Sequence, residues 1–224
     1  MNDRQGNGVT DPTVDLQIPD DAATLRNRQD ERRVAAVRQA QRSPFFSERL
    51  AGLDPETVLD PEVWATIPVL DKEQLRAMSP EDFYDRFCLA PRSEITEYWR
   101  SGGSTGRPLF YPRTARDIEF GMTGFMRVID IAGFVADDIA HLSLPLGIHP
   151  AGHMMARAGS SLGVGMVWAG GGNTLPSAAQ LDLIRMFKPS AWIGMASYGL
   201  QLANLAKADG LDLSSAGIQK ILCT

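Results

Sequence analysis

Cysteine is scarce in this chain. Cys88 and Cys223 are the only two in 224 residues, and their separation does not suggest a disulfide framework. Both read as free structural thiols, and a reducing cytoplasm is the expected setting. Long apolar runs are absent as well: nothing approaches the ~20 residues needed to cross a bilayer. The polar, acidic start at residues 1–15 has no apolar core of the kind an export signal needs. Basic charge is not in excess, since 22 Lys and Arg stand against 27 Asp and Glu for a net charge of -5. With no dense Lys/Arg block, general binding to nucleic acid or to an anionic membrane is excluded as the expected activity, so any anion has to be bound at one local site. Histidine is limited to His141, His149 and His153. The last two have helical spacing, but Pro150 lies between them and no nearby carboxylate or cysteine completes a ligand set, so no metal site is expected.

Against these absences one stretch stands out, Ser101-Gly102-Gly103-Ser104-Thr105-Gly106-Arg107-Pro108. It lies between residues 94–100 and 109–111, which are rich in aromatic, aliphatic and β-branched side chains, and the whole reads as strand, loop and strand. Three glycines in five positions let backbone N–H groups turn inward on an anion, and three hydroxyls and a guanidinium add donors. That composition suits a phosphate cradle; the plain alternative is a Gly/Ser turn with no ligand. A Walker loop is excluded, because Gly102 and Gly106 enclose three residues and no Gly-Lys-Ser/Thr follows. Gly102 to Gly106 also matches Gly-x-Ser-x-Gly, which would make Ser104 the nucleophile of a serine hydrolase, with Asp137, Asp138, His141, His149 and His153 downstream as candidate partners. An elbow of that kind runs straight into a helix, whereas Pro108 to Pro112 favours an extended strand.

Around this loop the chain divides into three. Residues 1–20 mix Gly, Asn, Asp, Thr and Pro without periodicity and read as a disordered arm. Residues 21–92 form a helical lead-in. Its first helix, near 21–42, carries Leu25, Val34, Val37 and Ala40 on one side, and its six arginines are expected to face water. Asp60-Pro61, Asp71 with Gln74, and Ser79-Pro80 are helix starts. Residues 93–224 read as an α/β nucleotide-binding region. A helix starting at Thr114 with Asp117 carries Ile118, Met122, Phe125, Met126 and Ile129 as a core stripe and closes at Gly133. Strands at 139–144, 164–168, 190–195 and 218–223 then alternate with helices near 151–161, 177–187 and 197–208. That order requires crossovers and hence a mostly parallel sheet with flanking helices. Ligands in such sheets lie beyond the carboxyl ends of the strands, here Pro145-Leu146-Gly147, residues 169–174 and Ala196-Ser197-Tyr198.

These residues resemble a family. The loop is similar to the Ser/Thr-Ser/Thr-Gly-Thr-Thr-Gly-Lys/Arg-Pro signature of adenylate-forming acyl-CoA synthetases, in the phenylacetate-CoA ligase-like group. The lead-in is also similar, through Pro44-Phe45-Phe46 with Arg49 and Ile67-Pro68-Val69-Leu70-Asp71-Lys72, as are Pro145-Leu146-Gly147, Gly171-Gly172-Asn173-Thr174 and Ala196-Ser197-Tyr198 in the same order. The resemblance covers about residues 25–224. It implies activation of a small carboxylic acid with ATP and Mg2+, followed by transfer to coenzyme A. By resemblance Ser101, Gly102, Gly103, Ser104, Thr105, Gly106 and Arg107 hold the ATP phosphates, although Gly102 stands where the family usually has a hydroxyl. Leu146, Gly147, Gly171, Gly172, Ser197 and Tyr198 line the acid and adenine side. An aryl acid is the family's substrate, but Leu146 replaces a residue that is often aromatic. The strand ending at Thr224 leads, in the family, to an adenine-contacting Gly/Ala-Glu segment, a ribose-binding aspartate and a catalytic lysine; Lys72, Lys188, Lys207 and Lys220 match no such lysine. The expectation is therefore a front half that is inactive alone, completed by a separate chain or self-associating through its open sheet edge. A nucleotide-binding remnant without catalysis is the alternative.

Overall fold

The computed structural model describes residue 19 and residues 21–101 and 108–224. The expected arm, apart from Pro19, and the loop residues 102–107 lie outside them. The described chain forms two compact units, one of residues up to Glu97 with residues 108–115, the other of residues 98–101 and 116–224.

In the first unit, α1 (Ala22–Ala40), α2 (Pro44–Arg49), α3 (Pro61–Ala65) and α4 (Lys72–Arg76) are followed by a helical turn, Pro80–Asp82, that runs into a π-helical turn, Phe83–Phe87. The expected starts are present: Asp60, Asp71 and Ser79 accept from the N–H groups of Glu62, Glu73 and Asp82. Gln74 does not reach back to complete a capping box with Asp71. Its side-chain oxygen accepts from Arg49 instead, whose other Nη donates to Val69 O at 3.0 Å. Val34 and Val37 of α1 pack with Leu50 and Val58 in a small core. Beside it Phe45, Phe46, Phe83 and Phe87 pack with ring centroids 5.1 to 5.6 Å apart. The α1 arginines face water as expected, Arg38 pairing with Glu56 at the surface, except that Arg33 is partly covered where it stacks over Trp64, because a guanidinium covers an aromatic face within reach. Strand β1 (Ile95–Arg100) forms a two-stranded sheet with β2 (Phe110–Thr114).

The second unit is the parallel sheet. After α5 (Ala115–Ile131) come β3 (Ile139–Leu142), α6 (Ala151–Ser161), β4 (Gly165–Trp168), α7 (Ser177–Phe187), β5 (Ala191–Gly194), α8 (Ala196–Ala208) and β6 (Lys220–Cys223). The strand order is β4-β3-β5-β6, every pair parallel, with Leu142 opposite Trp168 on one side and Ile193 on the other. The expected elements agree to within two residues at each end. Side chains alternate across the sheet. His141, Ser143 and Trp192 face α7 and α8, where Leu181, Ile184, Leu202 and Ala206 close the core; Leu144 and Ile193 face α5 and α6.

At the amino ends of the strands, buried Asp138 ties three of them together. Its carboxylate accepts from Ser190 Oγ (2.6 Å), Val135 N (2.8 Å) and Lys220 Nζ (2.5 Å). Burial alone would raise this carboxyl, but the hydrogen bonds from Lys220, Ser190 and Val135 with the Lys220 charge outweigh it and hold the group below its ordinary value. Cys88 is half-buried and Cys223 exposed, and both are free. Among the described residues no helix is long and apolar enough to cross a membrane.

Candidate functional site

The order β4-β3-β5-β6 contains a reversal. From β3 the chain moves to one side to place β4, then crosses β3 to place β5 on the other. In open parallel sheets the crevice at such a reversal, beyond the carboxyl ends, is where ligands bind. Here those ends are the segments after Leu142, Trp168 and Gly194.

The three segments meet. Gly171 lies against Pro145, whose Cγ would be 3.7 Å from a Cβ added at Gly171. Gly172 lies under Tyr198, whose ring would be 3.1 to 3.4 Å from a Cβ there, so any larger residue would push the loop off the ring. The Tyr198 hydroxyl is 3.1 Å from Ser177 Oγ, which fixes the ring at the start of α7. Gly152 lets α6 approach the Pro145 carbonyl, which would be 2.4 Å from a Cβ. Leu146 and Tyr198 are half-buried, while Gly147, Gly172 and Ser197 are exposed. Arg100, at the end of β1, donates its N–H to Ile148 O at 3.1 Å, which joins the residue before Ser101 to the segment that follows Leu142. Of the expected phosphate-binding residues, Ser101 alone is described. The helices leaving this edge, α6, α7 and α8, have no side-chain cap on their first N–H groups.

Sequence reasoning missed the cavity beside this edge. It measures about 360 Å3 and is lined by Gly121, Gly124, Phe125 and Val128 of α5, by Met155 of α6, and by Leu144, Ile193 and Leu222 at the strand ends. None of the expected substrate residues lines it. Phe125 reads as core from its helical spacing. Gly121 and Gly124, one turn apart and bare of side chains, are the signal that part of the helix face is left open.

The structure removes the support for the serine hydrolase. The described chain after the loop is β2 rather than a helix, and His141 is fully buried with Nε2 on Gln180 at 3.1 Å. Burial pushes its imidazole below the ordinary value, against the opposing effect of the Gln180 hydrogen bond. His149 precedes α6 and is exposed; His153 lies on α6 with its ring 6.5 Å from Trp168.

Comparison with known proteins agrees with the resemblance read from the loop. The chain is 30% identical over 191 residues to the phenylacetate-coenzyme A ligase of Pseudomonas putida, covering 84% of this chain and 42% of that protein. Over most of its length the chain is thus related to the phenylacetate-CoA ligases. The Thermus thermophilus phenylacetate-coenzyme A ligase is 28% identical over 190 residues, covering 84% of this chain and 41% of that protein. No family model matches. Among solved structures, 2-hydroxyisobutyryl-CoA ligase in complex with 2-HIB-AMP shares the fold with a TM-score of 0.78 at 20% identity, covering 98% of this chain and 47% of that one. A second structure of that ligase, with 2-HIB-AMP and CoA, gives 0.77 at 22% identity over 89% of this chain and 43% of the other. The chain thus spans less than half the length of the relatives it matches.

Proposed function

We propose that the chain carries the acid- and nucleotide-binding part of an ATP-dependent carboxylic acid-CoA ligase, which joins an acid to AMP and then passes the acyl group to coenzyme A. In this reading the hydrocarbon part of the acid enters the cavity between α5, α6 and the strand ends. Leu146, Gly147, Gly171, Gly172, Ser197 and Tyr198 bound the adenylate beside it, and Ser101 with residues 102–107 takes the phosphates. The observation that most supports this is the meeting of Gly171 with Pro145 and of Gly172 with Tyr198 at the reversal point of the sheet, next to an apolar cavity of about 360 Å3. A cavity of that size and lining suits a small acid with an alkyl or aryl group. Coenzyme A as acceptor is supported by the resemblance to the phenylacetate-coenzyme A ligases and by the shared fold of the 2-hydroxyisobutyryl-CoA ligase, whose structure holds 2-HIB-AMP and CoA. Mg2+ would arrive with the nucleotide, bound to the phosphates that Ser101 and residues 102–107 are proposed to hold. Because the relatives are more than twice as long, the 224 residues by themselves are proposed to bind without turnover: ground-state contacts hold the ligands, and the groups that stabilise the transition state are assigned to the rest of such an enzyme.

Calorimetry with Mg-ATP and with phenylacetate tests binding, and acid-dependent pyrophosphate exchange tests chemistry. Filling the cavity with Met155→Trp is expected to weaken the acid about tenfold or more while leaving Mg-ATP in place. A chain that binds neither ligand overturns the reading, and exchange catalysed by the 224 residues alone overturns the division of labour.

A further inference from the structure

Both ends of the 170–175 loop are held by a side chain that belongs to none of the sequence motifs. Gln180, on α7 and fully buried, donates its carboxamide N–H groups to Gly170 O (2.9 Å) and Leu175 O (3.2 Å). Two carbonyl oxygens can only be met by donors, so the amide orientation is fixed and its oxygen faces the strands. That oxygen accepts from Ser143 Oγ (2.8 Å) and His141 Nε2 (3.1 Å), and Ser143 Oγ in turn accepts from Trp192 Nε1 (3.0 Å). The sense of every link is thereby set. Trp192 and Ser143 donate along the chain to Gln180, and His141 is the tautomer with its proton on Nε2, leaving Nδ1 buried without a partner. Within the loop, Thr174 and Leu175 donate to Gly171 O at 2.8 and 3.2 Å.

We propose that Gln180 is a positioning residue of the site: by holding both ends of the 170–175 loop to β3 and β5, it sets where Gly171 and Gly172 stand relative to Pro145 and Tyr198. The functional meaning rests on the ligase reading of that edge; the pinning of the loop does not. Gln180→Glu discriminates this role from general packing. It keeps the shape and the acceptor but turns the donor end into an oxygen facing two carbonyls, which repels when ionised and is relieved when the acid is protonated and has one O–H to give. The titratable group touching position 180 is His141 from β3. On α7 itself, Asp182 and Arg185 pair with each other at the surface.

The experiment follows hydrogen exchange of the 171–175 amides, corrected for the intrinsic effect of pH, in the wild type, Gln180→Leu and Gln180→Glu at about pH 6 and pH 8. Calorimetry with the sulfamoyl analogue of phenylacetyl-adenylate runs beside it. Loop exchange is expected to rise about tenfold or more in Gln180→Leu and in Gln180→Glu at the higher pH, with analogue affinity falling in step, and Gln180→Glu is expected to recover both at the lower pH. Should Gln180→Leu fail to fold, the isosteric Gln180→Glu carries the test through its pH dependence. Wild-type protection in Gln180→Glu at both pH values overturns the pinning. A loosened loop with undiminished affinity overturns the positioning role. If the wild type ignores the analogue, the ligase reading falls, and the exchange data still decide whether Gln180 pins the loop.

Discussion

Six helix or turn starts in the first unit carry an aspartate or serine that accepts a backbone N–H within three residues: Asp21, Ser43, Asp54, Asp60, Asp71 and Ser79. In the second unit α6, α7 and α8 begin at Pro150, Pro176 and Met195 with no such cap. The side-chain hydrogen bonds of the sheet unit go elsewhere. They link residues 37, 49, 52 and 82 positions apart, in the pairs Ser143–Gln180, Trp192–Ser143, Ser190–Asp138 and Lys220–Asp138. One unit closes its helix ends locally. The other leaves its helix starts open along the edge proposed for ligands and joins distant strands through buried polar contacts.

The contrast should be sharpest in core truncations. Leu142→Ala, at a fully buried position of the central strand, is expected to cost about 2–5 kcal/mol, because a cavity among parallel strands cannot collapse. Leu50→Ala, in the smaller helical core, should fall at or below the low end of that range. Equal losses in denaturant titrations would break the distinction.

Acid should separate the units next. His141 and Asp138 both have folded pKa values below their ordinary 6.5 and 3.8. The unfolded chain therefore takes up each proton more readily, so both contributions are intact above those ordinary values and are lost as pH falls through the lower folded ones. The sheet unit should weaken first below about pH 6.5 and again below about pH 4. Asp138→Asn should remove the second stage and cost about 1–3 kcal/mol at neutral pH. In the helical unit Asp21 is also held low, by its hydrogen bonds from Thr24, and acid should merely fray the first turn of α1. Amide exchange across a pH series reads both responses; a sheet unit indifferent to acid would contradict this.

Caps are worth less. Ser43→Ala removes a buried cap whose Oγ accepts from Phe46 N and is expected to cost about 1 kcal/mol. The smallest effect is a gain. Lys188 closes α7 with φ at 45°, the one non-glycine residue with positive φ among those described, and Lys188→Gly should raise stability by up to about 1 kcal/mol. A lower melting temperature would show that the lysine side chain contributes more than its backbone costs.

The same contrast explains what the sequence made legible. Asp60-Pro61 and Ser79-Pro80 could be read as helix starts because cap and first turn are neighbours, and the alternation after Asp138 because each strand and helix announces itself within ten or so residues. The phenylacetate-CoA ligase-like motifs marked the Leu146, Gly171 and Tyr198 segments. Gln180 could not be found this way. On its helix it is one more polar residue, and only the order β4-β3-β5-β6 brings it to His141 and Ser143. The cavity was hidden for a related reason, since Phe125 and Leu144 have the periodicity of core residues whether or not their neighbours fill the space. The Gln74 capping box failed because Arg49, 25 residues away, offered the carboxamide a charged donor.

That strand order also bears on how fast the molecule can assemble. β3 is the first strand of its sheet to be made, yet it needs β4 on one side and, a crossover later, β5 on the other, where His141 pairs with Trp192. The clasp of Lys220 on Asp138 spans 82 residues. Closing such loops comes before their contacts are gained, so the rate of refolding should be set by the sheet rather than by the helices, with the Asp138 clasp among the last contacts to form.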